Sequence, residues 1–110
     1  MGDRDGVRVS RVDAEDWQVD DEVGGLVHFL FEDDDTAAGL WRPDPDGGPE
    51  VAGHELPARE TILVLEGSVR IEIEGSETLE LGPGAIASMP KGAVTTWHPS
   101  KDFKEFWIYG

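Results

Sequence analysis

Residues 61–74 read TILVLEGSVRIEIE, and this stretch decides the fold class. Over Val69–Glu74, apolar and charged residues alternate, which is typical of a β-strand with one face on a core and the other in water. Thr61–Leu65 is apolar on both faces, so we expect this strand to be buried more deeply. Gly67 supplies a permissive backbone between the two runs, and Glu66–Ser68 therefore predicts a hairpin turn.

Short apolar runs separated by Gly and Pro continue on both sides of this stretch, and their spacing leaves little room for helices. The further runs predicted as strands are Val7–Val12, Leu26–Phe31, Ala37–Trp41, Glu77–Leu81, Ala85–Met89, Val94–Trp97 and Phe103–Tyr109. Ala14–Asp20 fits a helical turn or a loop. Residues 43–49 (PDPDGGP) are the most loop-like segment, because Pro and Gly do not fit a sheet ladder. The sequence predicts nine or ten strands in an all-β sandwich or barrel.

The chain carries 24 acidic and 9 basic side chains and no cysteine. Its 110 residues predict one domain, and the lack of Cys excludes disulfides and thiolate metal sites. The formal net charge of −15 argues against nucleic acid and anionic membranes as partners, because both need clustered Lys and Arg. We interpret the acidic surface as solubilising. The charged start has no secretory pattern and no apolar run could span a bilayer, so we expect a cytoplasmic protein.

Gly53–Gly67 (GHELPARETILVLEG) and Gly82–Trp97 (GPGAIASMPKGAVTTW) resemble, in order, the two motifs of the cupin superfamily. The matching spacings are those from Glu60 to the last Gly of the first motif, and from Gly84 to the Pro-x-Gly of the second. The resemblance covers residues 37–110 and implies a single-domain, jelly-roll-like antiparallel β-barrel, in agreement with the strand pattern. We place the barrel at residues 25–110, after an acidic N-terminal segment, residues 1–24, that is a candidate dimer strand.

A narrower resemblance is to the cupins of domain-of-unknown-function class 861, which are ureidoglycine aminohydrolase-like or ethanolamine-utilisation-like. Members carry a Trp before the first motif, a Trp five residues after Pro-x-Gly, and a Lys just before the last aromatic strand. Trp41, Trp97 and Lys104–Trp107 fit these features.

Metal-binding cupins supply three His and one Glu, and only part of this set is present. His54 matches the first His and Glu60 the Glu, but Leu56 and Thr95 stand where the other two His belong. The aminohydrolases use a different set of metal ligands, and this sequence does not match that set either. A divalent metal needs at least three converging donors. We therefore expect no tightly bound metal and assign no cofactor, and the most we expect is a weakly held divalent ion.

The same resemblance and strand parity suggest a ligand site inside the barrel. If Gly53–Gly67 held one regular strand, His54 and Glu60 would face the same side. On the same reasoning Trp97 shares its side with Thr95, whereas His98 points outward. Flat indole rings can line a pocket as well as fill a core. The candidate ligand-binding residues are Trp41, His54, Leu56, Glu60, Met89, Thr95 and Trp97.

Three functions fit these residues. The first is a module that binds an unknown small molecule next to a degenerate metal site. The second is an enzyme (an isomerase, amidohydrolase or dioxygenase) that acts on a small polar metabolite, with His54 and Glu60 as catalytic acid and base. The third is a ligand-free structural homodimer, and we expect a homodimer in any case.

Overall fold

The computed structural model describes residues 6–47 and 50–110. Residues 1–5 of the predicted N-terminal segment and residues 48–49 of the predicted loop lie outside the described residues. The described residues form ten strands: β1 (Gln18–Val19), β2 (Leu26–Glu32), β3 (Ala37–Arg42), β4 (Val51–Glu55), β5 (Glu60–Glu66), β6 (Val69–Ile73), β7 (Leu79–Leu81), β8 (Ile86–Met89), β9 (Val94–Pro99) and β10 (Lys104–Tyr109). None of the described segments is a helix that is long and apolar enough to cross a membrane.

The strands form two antiparallel sheets, as the resemblance to the cupins implied. The six-stranded sheet has the order β1-β2-β3-β10-β5-β8, and the four-stranded sheet has the order β4-β9-β6-β7. Among the described strands no ladder joins one sheet to the other, so the two sheets form a jelly-roll-like fold and do not close into the predicted barrel. The sheets pack face to face through the inward side chains of β5 and β6, whose burial alternates along each strand.

The predicted hairpin at Glu66–Ser68 is wrong. β5 pairs with β10 and β8, whereas β6 pairs with β7 and β9, so these three residues carry the chain from one sheet to the other. Gly67 has a φ of 70° at this corner, and a Cβ there would come within 2.7 Å of the backbone N of Phe103. The corner requires glycine for both reasons.

The chain before β2 also differs from the prediction. Val7–Val12 is not a strand. At the end of this run, the Lys104 ammonium donates a hydrogen bond of 2.8 Å to the carbonyl of Val12. Inside the predicted turn Ala14–Asp20, the short strand β1 pairs with β2. Val12 and β1 are therefore held by contacts with other parts of the same chain.

The apolar core fills part of the space between the sheets. Its members that do not reach the open cavity described below are Leu56, Ile62, Val64, Val69, Ile71, Met89 and Phe103, each at most 3 % exposed. Burial of such side chains contributes about 1.5–3 kcal/mol each. This packing fixes the strands that carry the cavity walls.

Candidate functional site

A cavity of about 490 Å³ opens between the two sheets. This volume falls within the range of roughly 300–1,000 Å³ that small-molecule sites occupy. Seven strands contribute lining residues: Gln18 and Val19 on β1, Val27, Phe29 and Glu32 on β2, Ala37 and Trp41 on β3, Val51 and His54 on β4, Glu60 on β5, Trp97 on β9, and Glu105, Trp107 and Tyr109 on β10.

Strand β10 lies at the centre of the six-stranded sheet and supplies three of the lining side chains. Because side chains alternate along a strand, Glu105, Trp107 and Tyr109 all face inward. The register places Tyr109 opposite Glu60 of β5, and Glu105 opposite Trp41 of β3. The pairing of strands thus sets carboxyl groups beside aromatic rings on one inner surface.

An aromatic wall runs along this surface. The Phe29 and Trp107 rings meet edge to face, with centroids 5.8 Å apart and an interplanar angle of 85°. The Trp107 and Tyr109 centroids are 5.2 Å apart. Gly39 lies between Phe29 and Trp107 in the sheet register, and a Cβ there would overlap the carbonyl oxygen of His28. Glycine at this position lets the two rings meet.

Two carboxyl groups are buried at the cavity. Glu60 is 5 % exposed and Glu105 is 3 % exposed, and the Oε1 atom of each is buried without a hydrogen-bond partner. Burial raises the pKa of Glu60 to about 8. Burial, and then the charge of Glu60, raise the pKa of Glu105 well above its usual value. Both groups therefore favour the protonated form at neutral pH.

His54 and Tyr109 form a hydrogen bond across the cavity, from one sheet to the other. Nε2 of His54 lies 3.2 Å from the Tyr109 hydroxyl. Burial lowers the pKa of His54, and the charges of Asp20 and Glu22 oppose this shift. Burial raises the pKa of the Tyr109 hydroxyl. The favoured state at neutral pH is thus a neutral imidazole against a protonated phenol.

Acidic residues surround the mouth of the cavity. Asp20–Glu22 lie on the loop between β1 and β2, Glu32 is the last residue of β2, and Asp33–Asp35 lie on the loop between β2 and β3. Because Glu60 and Glu105 favour the protonated form, the negative charge comes from these seven residues, and no Lys or Arg is found among the described lining residues. The potential at the site is therefore strongly negative.

The donors present do not fit a tightly held metal. Leu56, at one ligand position of the metal-binding cupins, is an apolar side chain 1 % exposed in the core. The Thr95 hydroxyl, at another, donates to the His54 carbonyl at 2.9 Å and accepts the Trp97 indole N–H at 2.8 Å. In residues 6–47 and 50–110 no group of three or more His, Cys, Asp or Glu side chains could hold a metal ion.

The predicted ligand-binding residues separate into two groups. Trp41, His54, Glu60 and Trp97 line the cavity. Leu56, Met89 and Thr95 are buried behind its walls, where Thr95 holds the Trp97 indole in place.

The assumption of one regular strand through His54 and Glu60 is wrong, although both line the cavity. His54 lies on β4 and Glu60 on β5, in different sheets. His98 faces away, with Nδ1 3.1 Å from the Glu50 carboxylate.

Sequence reasoning missed Glu105 and Tyr109. The signal was present in the alternation of β10, since Phe103, Trp107 and Tyr109 share a side with Glu105. A carboxyl group on the apolar side of a central strand predicts a buried, functional acid more specifically than surface acids do.

The sequence matches the family model for the EutQ-like cupin domain over residues 33–105. No protein of curated function matches it at a significant level.

Solved structures of cupins share the fold. A cupin-like protein from Thermotoga maritima superposes with a TM-score of 0.70 at 16 % identity, covering 88 % of this chain and 79 % of its own. A putative ethanolamine utilization protein, EutQ from Salmonella typhimurium, gives 0.66 at 21 %, covering 81 % and 71 %. The DMSP lyase DddQ from Ruegeria pomeroyi gives 0.68 at 20 %, covering 86 % and 55 %. These likenesses concern the fold, and they confirm the jelly-roll-like cupin architecture.

Proposed function

The chain belongs to the EutQ-like cupin family, and we propose that it binds a small organic molecule in the cavity between its sheets, without a tightly held metal. One observation carries this proposal. Glu60 and Glu105 both line the cavity, and each has a buried carboxyl oxygen without a hydrogen-bond partner.

Unpartnered buried polar atoms are uncommon because each costs about 1–3 kcal/mol. The natural partner for both oxygens is a bound molecule with hydrogen-bond donors. The aromatic wall of Phe29, Trp107 and Tyr109 offers such a molecule an apolar surface next to these acceptors. An apolar wall with a few convergent polar groups is the usual design of a small-molecule site.

The test is a thermal-shift screen of a chemically mixed metabolite set against a cavity-blocked variant. Ala58 lines the mouth of the cavity, and Ala58→Trp would place an indole there. Ala52 is exposed on β4 away from the cavity, so Ala52→Trp controls for the added indole. We expect at least one compound to raise the Tm of the wild type and of Ala52→Trp, but not of Ala58→Trp. Equal shifts in all three proteins, or no shift with any compound, would contradict the proposal.

The second candidate is an acid–base enzyme that uses the same cavity. Burial raises the pKa of Glu60 to about 8 and lowers the pKa of His54, so near neutral pH one group is an acid and the other a free base. The fold carries an enzyme among the neighbours, the DMSP lyase. This alternative predicts that a stabilising compound is converted, and that His54→Ala abolishes conversion with a nearly unchanged Tm. The binding proposal predicts that NMR spectra show the compound unchanged after incubation.

We also propose that the protein is a homodimer and cytoplasmic. Supporting the dimer, residues 6–24 expose four valines: Val7 by 61 %, Val9 by 88 %, Val12 by 55 % and Val19 by 63 %. Exposed apolar side chains of this kind are suited to contact with a second copy. Light scattering on the eluted peak should give about twice the chain mass of 12.0 kDa at micromolar concentration. A monomer mass would contradict the dimer.

A further inference from the structure

We infer that the cavity selects a small organic cation, an amine in its protonated form, over neutral and anionic molecules of the same size. This inference rests on the proposed function and names the ligand class of that site. It stands on the charge at the mouth, the aromatic wall inside, and the two unpartnered carboxyl oxygens.

The mouth discriminates by charge before contact. Seven acidic side chains meet a ligand as it enters: Asp20–Glu22 on the loop before β2, Glu32 at the end of β2, and Asp33–Asp35 on the loop before β3. No Lys or Arg among the described lining residues offsets them. Such a negative field attracts cations and repels anions, and the low-dielectric walls of a cavity concentrate it.

The interior discriminates between organic and inorganic cations. Five aromatic rings line the cavity: Phe29, Trp41, Trp97, Trp107 and Tyr109. Faces of such rings attract ammonium groups, most strongly where water is excluded. A strongly hydrated metal ion would gain little from rings and finds no converging cluster of donors in the described chain. An ammonium on an organic framework fits both the rings and the carboxyl groups.

The carboxyl groups of the two cavity-lining residues Glu60 and Glu105 supply the direct contact. Oε1 of Glu60 and Oε1 of Glu105 have no hydrogen-bond partner. A protonated amine brings N–H donors to them, and hydrogen bonds between charged groups are about twice as strong as neutral ones. An alcohol of the same shape would make the weaker kind, and a carboxylate would be repelled by the negative charge of the acidic residues at the mouth.

Proton release should accompany binding. The groups around Glu60 are Glu105 and Tyr109 on β10, His54 on β4, and Asp20 and Glu22 on the loop before β2. None of these adds a lasting positive charge, so in the empty cavity Glu60 keeps its proton up to a pKa of about 8. A bound ammonium favours the ionised carboxylate. Binding at pH 7 therefore releases a proton, and affinity for a cation rises between pH 6 and 8.

Isothermal titration calorimetry with three matched probes tests the inference. Benzylammonium, benzyl alcohol and benzoate share a ring and differ in charge. At pH 8 we expect benzylammonium to bind at least tenfold more tightly than benzyl alcohol, and benzoate not to bind. Titrations in buffers of different ionisation enthalpy should show net proton release at pH 7. Benzyl alcohol or benzoate binding as tightly as benzylammonium would overturn the inference.

Two isosteric variants locate the contact. Glu60→Gln and Glu105→Gln should each weaken benzylammonium binding at least tenfold and leave benzyl alcohol within twofold. Glu80→Gln, which removes an exposed carboxyl group from β7, is the matched control and should bind like the wild type. Undiminished binding of benzylammonium to both cavity variants would overturn the inference, and circular dichroism confirms that each variant is folded.

The outcomes separate this inference from the proposed function. If benzyl alcohol binds as well as benzylammonium and Ala58→Trp abolishes both, the cavity binds small molecules but not by charge. If none of the three probes binds and no metabolite stabilises the protein, both proposals fail.

Discussion

Replacing Glu60 by glutamine should flatten the fall of stability with pH. The Glu60 side chain is 5 % exposed, and its burial raises its pKa from 4.5 to about 8. The folded chain therefore holds this proton more tightly than the unfolded chain does. Its contribution to stability is complete below about pH 4.5 and is lost as pH rises through about 8.

The magnitude follows from one proton. Where the folded state binds one more proton than the unfolded state, the free energy of unfolding falls by about 1.4 kcal/mol per pH unit. Between pH 5.5 and 7.5, Glu60 should thus account for a loss of roughly 2–3 kcal/mol. Glu105, also raised in pKa by burial, adds a loss of the same sign. Glutamine has the shape of the protonated acid but cannot ionise.

Urea unfolding at half-unit steps between pH 5.5 and 8.5 measures this difference. The wild type should lose the most stability over this range, Glu60→Gln less, and the double variant with Glu105→Gln the least. Above pH 8 the Glu60→Gln variant should be more stable than the wild type. Glu80→Gln, which removes an exposed charge on β7, should follow the wild-type slope. Identical slopes for wild type and Glu60→Gln would refute a buried, protonated Glu60.

Three further predictions concern other parts of the site. In urea unfolding, Gly39→Ala should lower the free energy of unfolding by about 3 kcal/mol, because the added Cβ would overlap the His28 carbonyl. Gly82→Ala is the control, since a Cβ there meets nothing within 4 Å. Equal stability of the two variants would contradict the close packing at Gly39. Thr95→Val should cost about 1–3 kcal/mol in the same assay, since it removes the partner of the Trp97 indole; an unchanged midpoint would show that this hydrogen bond is unimportant. Plasma mass spectrometry on untagged protein purified without chelator should find zinc, nickel, iron and manganese each well below one equivalent, whereas a stoichiometric metal would contradict the donor assignment.

The all-β fold could be predicted because strand alternation is a local property. The alternation over residues 69–74 predicts β6, and the observed strand ends within one residue of the predicted end. Strand pairing is not local, and the hairpin at Glu66–Ser68 failed for this reason: β5 finds its partners in β8 and β10, some 20–50 residues further along the chain. A tight turn at Gly67 serves a crossing between sheets as well as it serves a hairpin.

The site could be predicted in part. Motif positions and strand parity predicted four residues that line the cavity: Trp41, His54, Glu60 and Trp97. Glu105 was missed, although the apolar side of β10 identifies it once that strand is compared with its neighbours. The acidic mouth could not be predicted, because nothing in the sequence brings the loop at Asp20–Glu22 together with Glu32 and the loop at Asp33–Asp35.

The indole N–H signals test most directly whether the cavity is the ligand site. Trp41, Trp97 and Trp107 line the cavity, whereas Trp17 lies outside it, with its ring centroid 5.7 Å from the Arg42 guanidinium carbon. These four signals are followed in a ¹H–¹⁵N correlation spectrum during titration with benzylammonium, benzyl alcohol and benzoate, and Trp17→Phe identifies the control signal. The account predicts that at least one probe moves the three cavity signals saturably and leaves Trp17 in place. Signals that stay fixed with every probe, or Trp17 moving as far as the others, would contradict it.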